Sequence, residues 1–275
     1  MFRDNEPQAA TALEQERVTI FHEFSRKYEP EEEAVFSDWL HILNEAGVPY
    51  VLGGAIAVYA YTGIWRDTKD LDIFLKPSDL ERALAALSSA GYRTELTDPK
   101  WLAKVRREPY FMDLIFGVGN NRFKVSDAWL ERSHGLEVLG VPARMIAIEE
   151  LIASKAYIVK RDRFDGADIV HLIRARQGCL DWARVMRMLG DDRDLILYHL
   201  ILFHFVYPGH ADYLPQTLMV ELFERMRAQW ATVVDPSAFR GTLLDPVSFD
   251  VDCRHWGYED RFDQAPLVTP DGEPA

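Results

Sequence analysis

The 275 residues are 48% hydrophobic and 12% aromatic, enough apolar surface to build one large domain or two modest ones. Two cysteines, Cys179 and Cys253, stand far apart and outside any C-x-x-C arrangement, which argues against a disulfide framework or a zinc ribbon and fits a reducing cytoplasm. The net charge of -13 opposes a polyanionic partner, but it is unevenly spread: residues 1–33 and 250–275 each carry -5, leaving -3 for the middle.

The opening "MFRDNEPQAATALEQERVTI" carries charges where a signal peptide needs an apolar run, so no export is expected and residues 1–33 read as an acidic extension. "EEEAVFSDWLHILNEAG" follows, with Val35, Phe36, Trp39, Leu40, Ile42 and Leu43 on one helical stripe and Gly47 at the C′ position. "VPYVL" reads as a strand, "AIAVYAYTG" as a short helix and "DLDIFL" as a second strand. "SDLERALAALSSAGY" is a helix with Ser78 as its expected N-cap and Gly91 at its end. "YRTEL" and "YFMDLIFG" are further strands.

After Pro142 the pattern turns to helix upon helix, which predicts an α+β fold: a mixed sheet with flanking helices over residues 34–140, then a helical domain over 141–235. Residues 236–275 form a tail whose Phe249, Trp256 and Tyr258 predict partial docking, with the last ten or so residues disordered. The most apolar window, "LILYHLILFHFVYPG", is interrupted by His199 and His204 and closed by Pro208. That is short of the roughly 20 residues a membrane span needs, so it reads as a buried helix. The two histidines are five apart, not at the i, i+4 spacing of a helical metal pair, and read as core or cleft residues.

Chemistry concentrates between Tyr50 and Phe116. On a strand, Asp70 and Asp72 point to the same face, about 6.5 to 7 Å apart at Cα, while Leu71 and Ile73 point the other way. Neighbouring carboxylates disfavour each other's ionisation and a divalent cation relieves that. Mg²⁺ suits such oxygen donors and keeps positions for water and phosphate. The bland alternative is the polar face of a half-exposed strand. Gly53 and Gly54 lie between a strand and a helix, where backbone N–H groups and the missing side chains would let a phosphate approach. Asp113 sits between Met112 and Leu114 in an apolar strand, and a lone buried carboxylate there demands a partner.

The order strand, Gly-Gly, helix, "RDTKDLDIFL" and a later strand with one aspartate resembles the nucleotidyltransferase superfamily that includes DNA polymerase beta. Within it, "GGAIAVYAYTG" with "DLDIF" is similar to the bacterial minimal and antibiotic-modifying nucleotidyltransferases and to the abortive-infection type toxins. The likeness covers Val48 to Phe116, and "EELIASKAYIVKRDRFDGADIVHLI" is similar to a helical segment that follows the core in several of these groups.

The resemblance implies that Gly53 and Gly54 cradle NTP phosphates, and that Asp70, Asp72 and Asp113 hold one or two Mg²⁺ ions. It further implies that Asp113 can accept the proton of an acceptor hydroxyl, and that Arg66 and Thr68 flank the site. Arg66 contacts phosphate or forms a surface ion pair; Lys155 is a candidate for the triphosphate, with Lys160 or neither of the two as the alternatives.

The expected activity is Mg²⁺-dependent transfer of a nucleoside monophosphate from an NTP to a hydroxyl of a small molecule or a protein. The alternatives are a toxin-like enzyme acting on tRNA and an inactive binding module with the same fold. RNA has only two basic runs to support it: Arg93, Lys100, Lys104, Arg106 and Arg107, then Lys155, Lys160, Arg161, Arg163, Arg174 and Arg176. Both read as solvated helix faces. Of the tryptophans, Trp39, Trp65, Trp101 and Trp129 are candidates to stack on a base, with core packing the commoner use.

Overall fold

A computed structural model describes residues 28–66, 68–118, 122–232 and 235–259. It divides into two compact units: residues up to Ile115 together with Trp129–Ile146, and Phe116–Ala128 together with the chain from Ala147 onward. Most of the expected acidic extension and the last sixteen residues lie outside the described residues.

The first unit is a seven-stranded mixed sheet with helices, as the α+β reading expects. Helix α1, Pro30–Glu45, starts at a proline suited to a first helical turn and carries Glu31, Glu32 and Glu33 there, where the helix N-terminus favours anions. These acids therefore belong to α1 and not to an extension ending at residue 33. Val35, Phe36, Trp39, Leu40 and Leu43 are buried, and Gly47 follows with φ +63°.

Strand β1 (Val51–Leu52) leads through Gly53 into α2 (Gly54–Thr62), which Gly63 ends in the left-handed conformation. Strand β2 (Asp70–Phe74) returns antiparallel to β1. Helix α3 (Leu80–Ser89) is preceded by a 3-10 turn over Pro77–Asp79. Ser78 thus lies inside that turn, and Asp79 is the N-cap residue.

Strands β3 (Arg93–Asp98), β4 (Leu102–Arg107) and β5 (Tyr110–Ile115) form an antiparallel meander whose last member pairs in parallel with β2. β4 was not among the expected strands. The basic run thus lies on β3, the turn at Lys100 and β4, not on a helix face.

The sheet runs β3-β4-β5-β2-β1-β9-β8, with β8 (His134–Val138) and β9 (Val141–Met145) forming an antiparallel hairpin. A domain boundary at 140/141 would cut this hairpin at its turn. The second compact unit resumes at Ala147 instead. Pro142 hid the strand from a pattern reading. It is tolerated because β9 pairs with β1 only at Leu52–Met145, so the missing N–H costs that ladder nothing.

The second unit holds the short hairpin β6 (Gly117–Val118) and β7 (Phe123–Lys124), and α4 (Asp127–Arg132) leads from it back to the first unit. Its helices are α5 (Ile148–Ala156), α6 (Gly166–Ala175), α7 (Trp182–Leu189), α8 (Asp194–Val206) and α9 (Gln216–Trp230). Two short helices, α10 (Gly241–Leu244) and α11 (Asp250–His255), follow.

Asp245 anchors the tail. Its carboxylate accepts from the backbone N–H of Val247, Ser248 and Arg161 at 3.1 to 3.2 Å. Phe249 packs on Phe239, which stacks on Tyr258, whereas Trp256 is 71% exposed and takes no part in that docking. No helix among the described residues is long and apolar enough to cross a membrane.

Candidate active site

Three strands of the first unit carry the polar residues that meet at one place. Along β2 the burial alternates so that Leu71 and Ile73 are fully buried while Asp70 and Asp72 are only partly so. In the parallel ladder with β5, Asp72 is the register partner of Asp113. Carboxylate oxygens of Asp70, Asp72 and Asp113 lie within 4.8 Å of one another. At an effective dielectric of about 20, unit charges so placed repel by about 3 to 4 kcal/mol per pair. The cluster has to be compensated.

Each carboxylate has a different neighbour. The Thr68 hydroxyl donates to Asp70 Oδ1, and the Asp70 N–H approaches the same hydroxyl oxygen at 3.4 Å. Asp72 lies directly over Gly54, the first residue of α2, where the helix end carries partial positive charge. Asp113 accepts from the ammonium of Lys104, its register partner on β4, at 2.5 Å. That ammonium also sits 4.6 Å from the centre of the Phe111 ring. Lys104 was missed in the sequence because its strand was missed. The alternation Ala103, Lys104, Val105, with both neighbours buried, was the signal that could have marked a strand with Lys104 on its polar face.

The glycine pair is explained differently from the expectation. The Gly53 N–H donates to the Asp72 carbonyl at 2.9 Å and is not free for a phosphate. A Cβ on Gly53 would run into the Phe74 ring, and one on Gly54 into the Asp72 carboxylate, with Gly54 at φ +54°. Glycine is required here so that the side chains of β2 can lie on the turn. The space left by the missing side chains is filled by protein.

Arg66 is exposed in the loop ahead of β2. Lys155, in the second unit, is buried with its ammonium 2.7 Å from Asp165 and 2.9 Å from Asp168. Its environment is that of a buried ion pair, not of a surface phosphate ligand. Burial opposes ionisation of Asp165, yet Lys155 and Arg163 outweigh it and hold the carboxyl below its usual range. His199 is fully buried, its Nε2 3.2 Å from the Ala156 carbonyl, and His204 is exposed, so the two share no site. Trp39 and Trp129 are fully buried and serve the core. Trp65 meets Tyr28 and Tyr59 edge-on at 5.0 and 5.3 Å. The hydroxyl of Tyr28 is pushed well above its ordinary range by burial and then by the negative charges of Glu32 and Asp70.

All three cluster members offer oxygen, a donor set that fits a hard divalent cation such as Mg²⁺ or Mn²⁺. Carboxylate clusters of this kind hold the divalent ions of phosphoryl- and nucleotidyl-transfer enzymes. The family model described as "Nucleotidyl transferase of unknown function (DUF2204)" matches residues 33–195, more than half of the chain, and the chain belongs to this family of nucleotidyltransferases.

No curated protein sequence matches. Among solved structures, the antibiotic-resistance factor ANT(2″)-Ia is similar at 17% identity and a TM-score of 0.45, over 62% of this chain and 97% of that one. The lincosamide antibiotic adenylyltransferase LnuA, solved with lincomycin bound, is similar at 18% identity and a TM-score of 0.39, over 53% and 97%. An antigenic nucleotidyltransferase-like protein from Paracoccidioides brasiliensis is similar at 13% identity and 0.43, over 66% and 91%.

Proposed function

We propose that the chain transfers a nucleoside monophosphate from an NTP to a hydroxyl of a small molecule or a protein, with Mg²⁺ held by Asp70, Asp72 and Asp113. The observation that carries this reading is the approach of the three carboxylates to within 4.8 Å from two adjacent strands. A divalent cation bound there would supply charge stabilisation to the reacting phosphate oxygens.

The chain's own residues account for the rest. Asp113 takes the proton of the attacking hydroxyl as the new O–P bond forms at the α phosphorus and the bond to the β phosphate breaks, releasing pyrophosphate. Thr68 fixes the rotamer of Asp70 through its hydroxyl. Arg66, exposed in the loop ahead of β2, is the cation this reading assigns to the triphosphate.

A tRNA acceptor is less well supported, since several basic residues that would serve it already have internal partners. Arg106 lies 3.6 Å from Glu95, Lys104 is held by Asp113, and Arg163 and Lys155 by Asp165. Incubation with each α-labelled NTP and fractionated cell extract tests the proposal. Label should enter a small-molecule or protein fraction with wild type and not with Asp70→Asn. Label in no fraction, or equal label with the variant, would sink it. Label confined to RNA would transfer the assignment to the tRNA reading.

A further inference from the structure

One carboxylate of the cluster, Asp113, is paired with a full positive charge supplied by a lysine of a different strand. The pair is not an ordinary surface ion pair. The side chains of Lys104 and Asp113 are 18% and 16% exposed, and the ammonium is in direct contact with the carboxylate, 2.5 Å from Oδ1. The register pairing of β4 with β5 and the Phe111 ring beneath the ammonium hold Lys104 in place from both ends.

We propose that Lys104 is a resident counter-cation of Asp113: its ammonium competes with a divalent ion for that carboxylate and so keeps ion binding weak when no nucleotide is bound. The inference rests on the reading that Asp70, Asp72 and Asp113 hold a cation, and it adds a positioning residue to that site. An ammonium a few ångströms from a bound ion repels it, and an ammonium displaced from Asp113 forfeits its hydrogen bond. Either way Lys104 lowers affinity. The phosphates of an incoming NTP supply the negative charge that offsets both costs, so ion and nucleotide bind together more readily than either alone.

The test uses Mn²⁺ alone, without nucleotide, titrated into the full chain and followed by calorimetry and by the electron paramagnetic resonance of free Mn²⁺. Wild type, Lys104→Met, Lys104→Gln, Lys104→Arg and Asp72→Asn are compared, each first shown to melt cooperatively. Lys104→Met and Lys104→Gln should bind Mn²⁺ about tenfold more tightly than wild type, the effect of removing a nearby unit charge across partly hydrated protein. Lys104→Arg, which keeps the charge, should stay within about threefold of wild type.

Unchanged or weaker binding by both neutral variants would overturn the role of Lys104 even with the metal site intact. If wild type and Asp72→Asn bind Mn²⁺ identically, the carboxylates hold no cation. In that case the metal-dependent reading falls, and the role of Lys104 with it.

Discussion

Asp72 and Asp113 face each other as register partners on adjacent parallel strands, although forty positions of sequence separate them. That relationship makes the site a property of the sheet and not of a motif. A one-residue slip of β5 against β2 would turn Asp113 to the opposite face and put Met112 or Leu114 in its place. Those two residues are fully buried, so hydrophobic burial on the far side fixes the carboxylate on the near side.

The cluster stores repulsion, so its members should be removable without loss of stability in metal-free buffer. Asp70→Asn and Asp72→Asn are expected to melt at or above the wild-type temperature when chelator is present. Addition of Mg²⁺ or Mn²⁺ should raise the wild-type Tm by mass action and leave the variants unmoved. Nucleotide transfer by either variant should fall by about 100-fold or more. Differential scanning calorimetry without ion and with ion in large excess, so that weak binding also registers, checks the first two outcomes, and a wild-type Tm indifferent to that excess of both ions would count against a cation site.

The glycine turn makes a second expectation. Gly47 and Gly54 have similar positive φ values of +63° and +54°, but a Cβ on Gly47 meets open space and one on Gly54 meets the Asp72 carboxylate. Ala at either position bears the left-handed strain of about 1 to 2 kcal/mol. Gly54→Ala should cost at least about 1 kcal/mol more, because the carboxylate must also move. It should lose the Mn²⁺ response that Gly47→Ala keeps. Urea denaturation of the two variants side by side measures the difference, and equal costs would remove the close approach of Asp72 from the explanation.

What the sequence disclosed follows from which interactions are local. Period-two alternation in "DLDIFL" and "YFMDLIFG" gave the faces of Asp70, Asp72 and Asp113 because burial on one side of a strand is written in the strand itself. Partner strands are not written there. Nothing within "LAKVRR" says that it lies beside β5, so Lys104 read as solvated, and Pro142 masked β9 because an isolated proline carries no information about which ladder would need its N–H. The glycine pair was legible as a constraint, but its cause was not. Only the packing of Phe74 and Asp72 onto the turn tells a steric requirement from a phosphate cradle.

The burial of Lys155 predicts a stability effect where a phosphate ligand would give none. Lys155→Met leaves Asp165 and Asp168 without the ammonium that lies within 2.9 Å of both, inside the second unit. Breaking one side of such a buried pair costs about 3 to 5 kcal/mol. Equilibrium urea unfolding should show the midpoint shifted down with little change in slope. Unaltered stability together with a raised KM for the NTP would restore the triphosphate role.

His199 predicts how the helical unit responds to acid. The ring is fully buried, stacked on Phe164 and edge-on to Tyr198, with its Nε2 against the Ala156 carbonyl. Burial lowers its pKa below the ordinary 6.5, and the opposing pull of the carbonyl and of the Asp165 charge does not restore it. Between the unfolded value and the lowered folded value the unfolded chain binds the extra proton. The contribution of His199 is therefore present in full above about pH 6.5 and declines as pH falls below it, until the folded ring also titrates. Thermal melts across pH 7.5 to 5 should show Tm dropping through this window in wild type. The drop should be smaller in His199→Phe, which keeps a ring in the stack and has nothing to protonate. Parallel curves for the two proteins would assign the acid sensitivity to other groups.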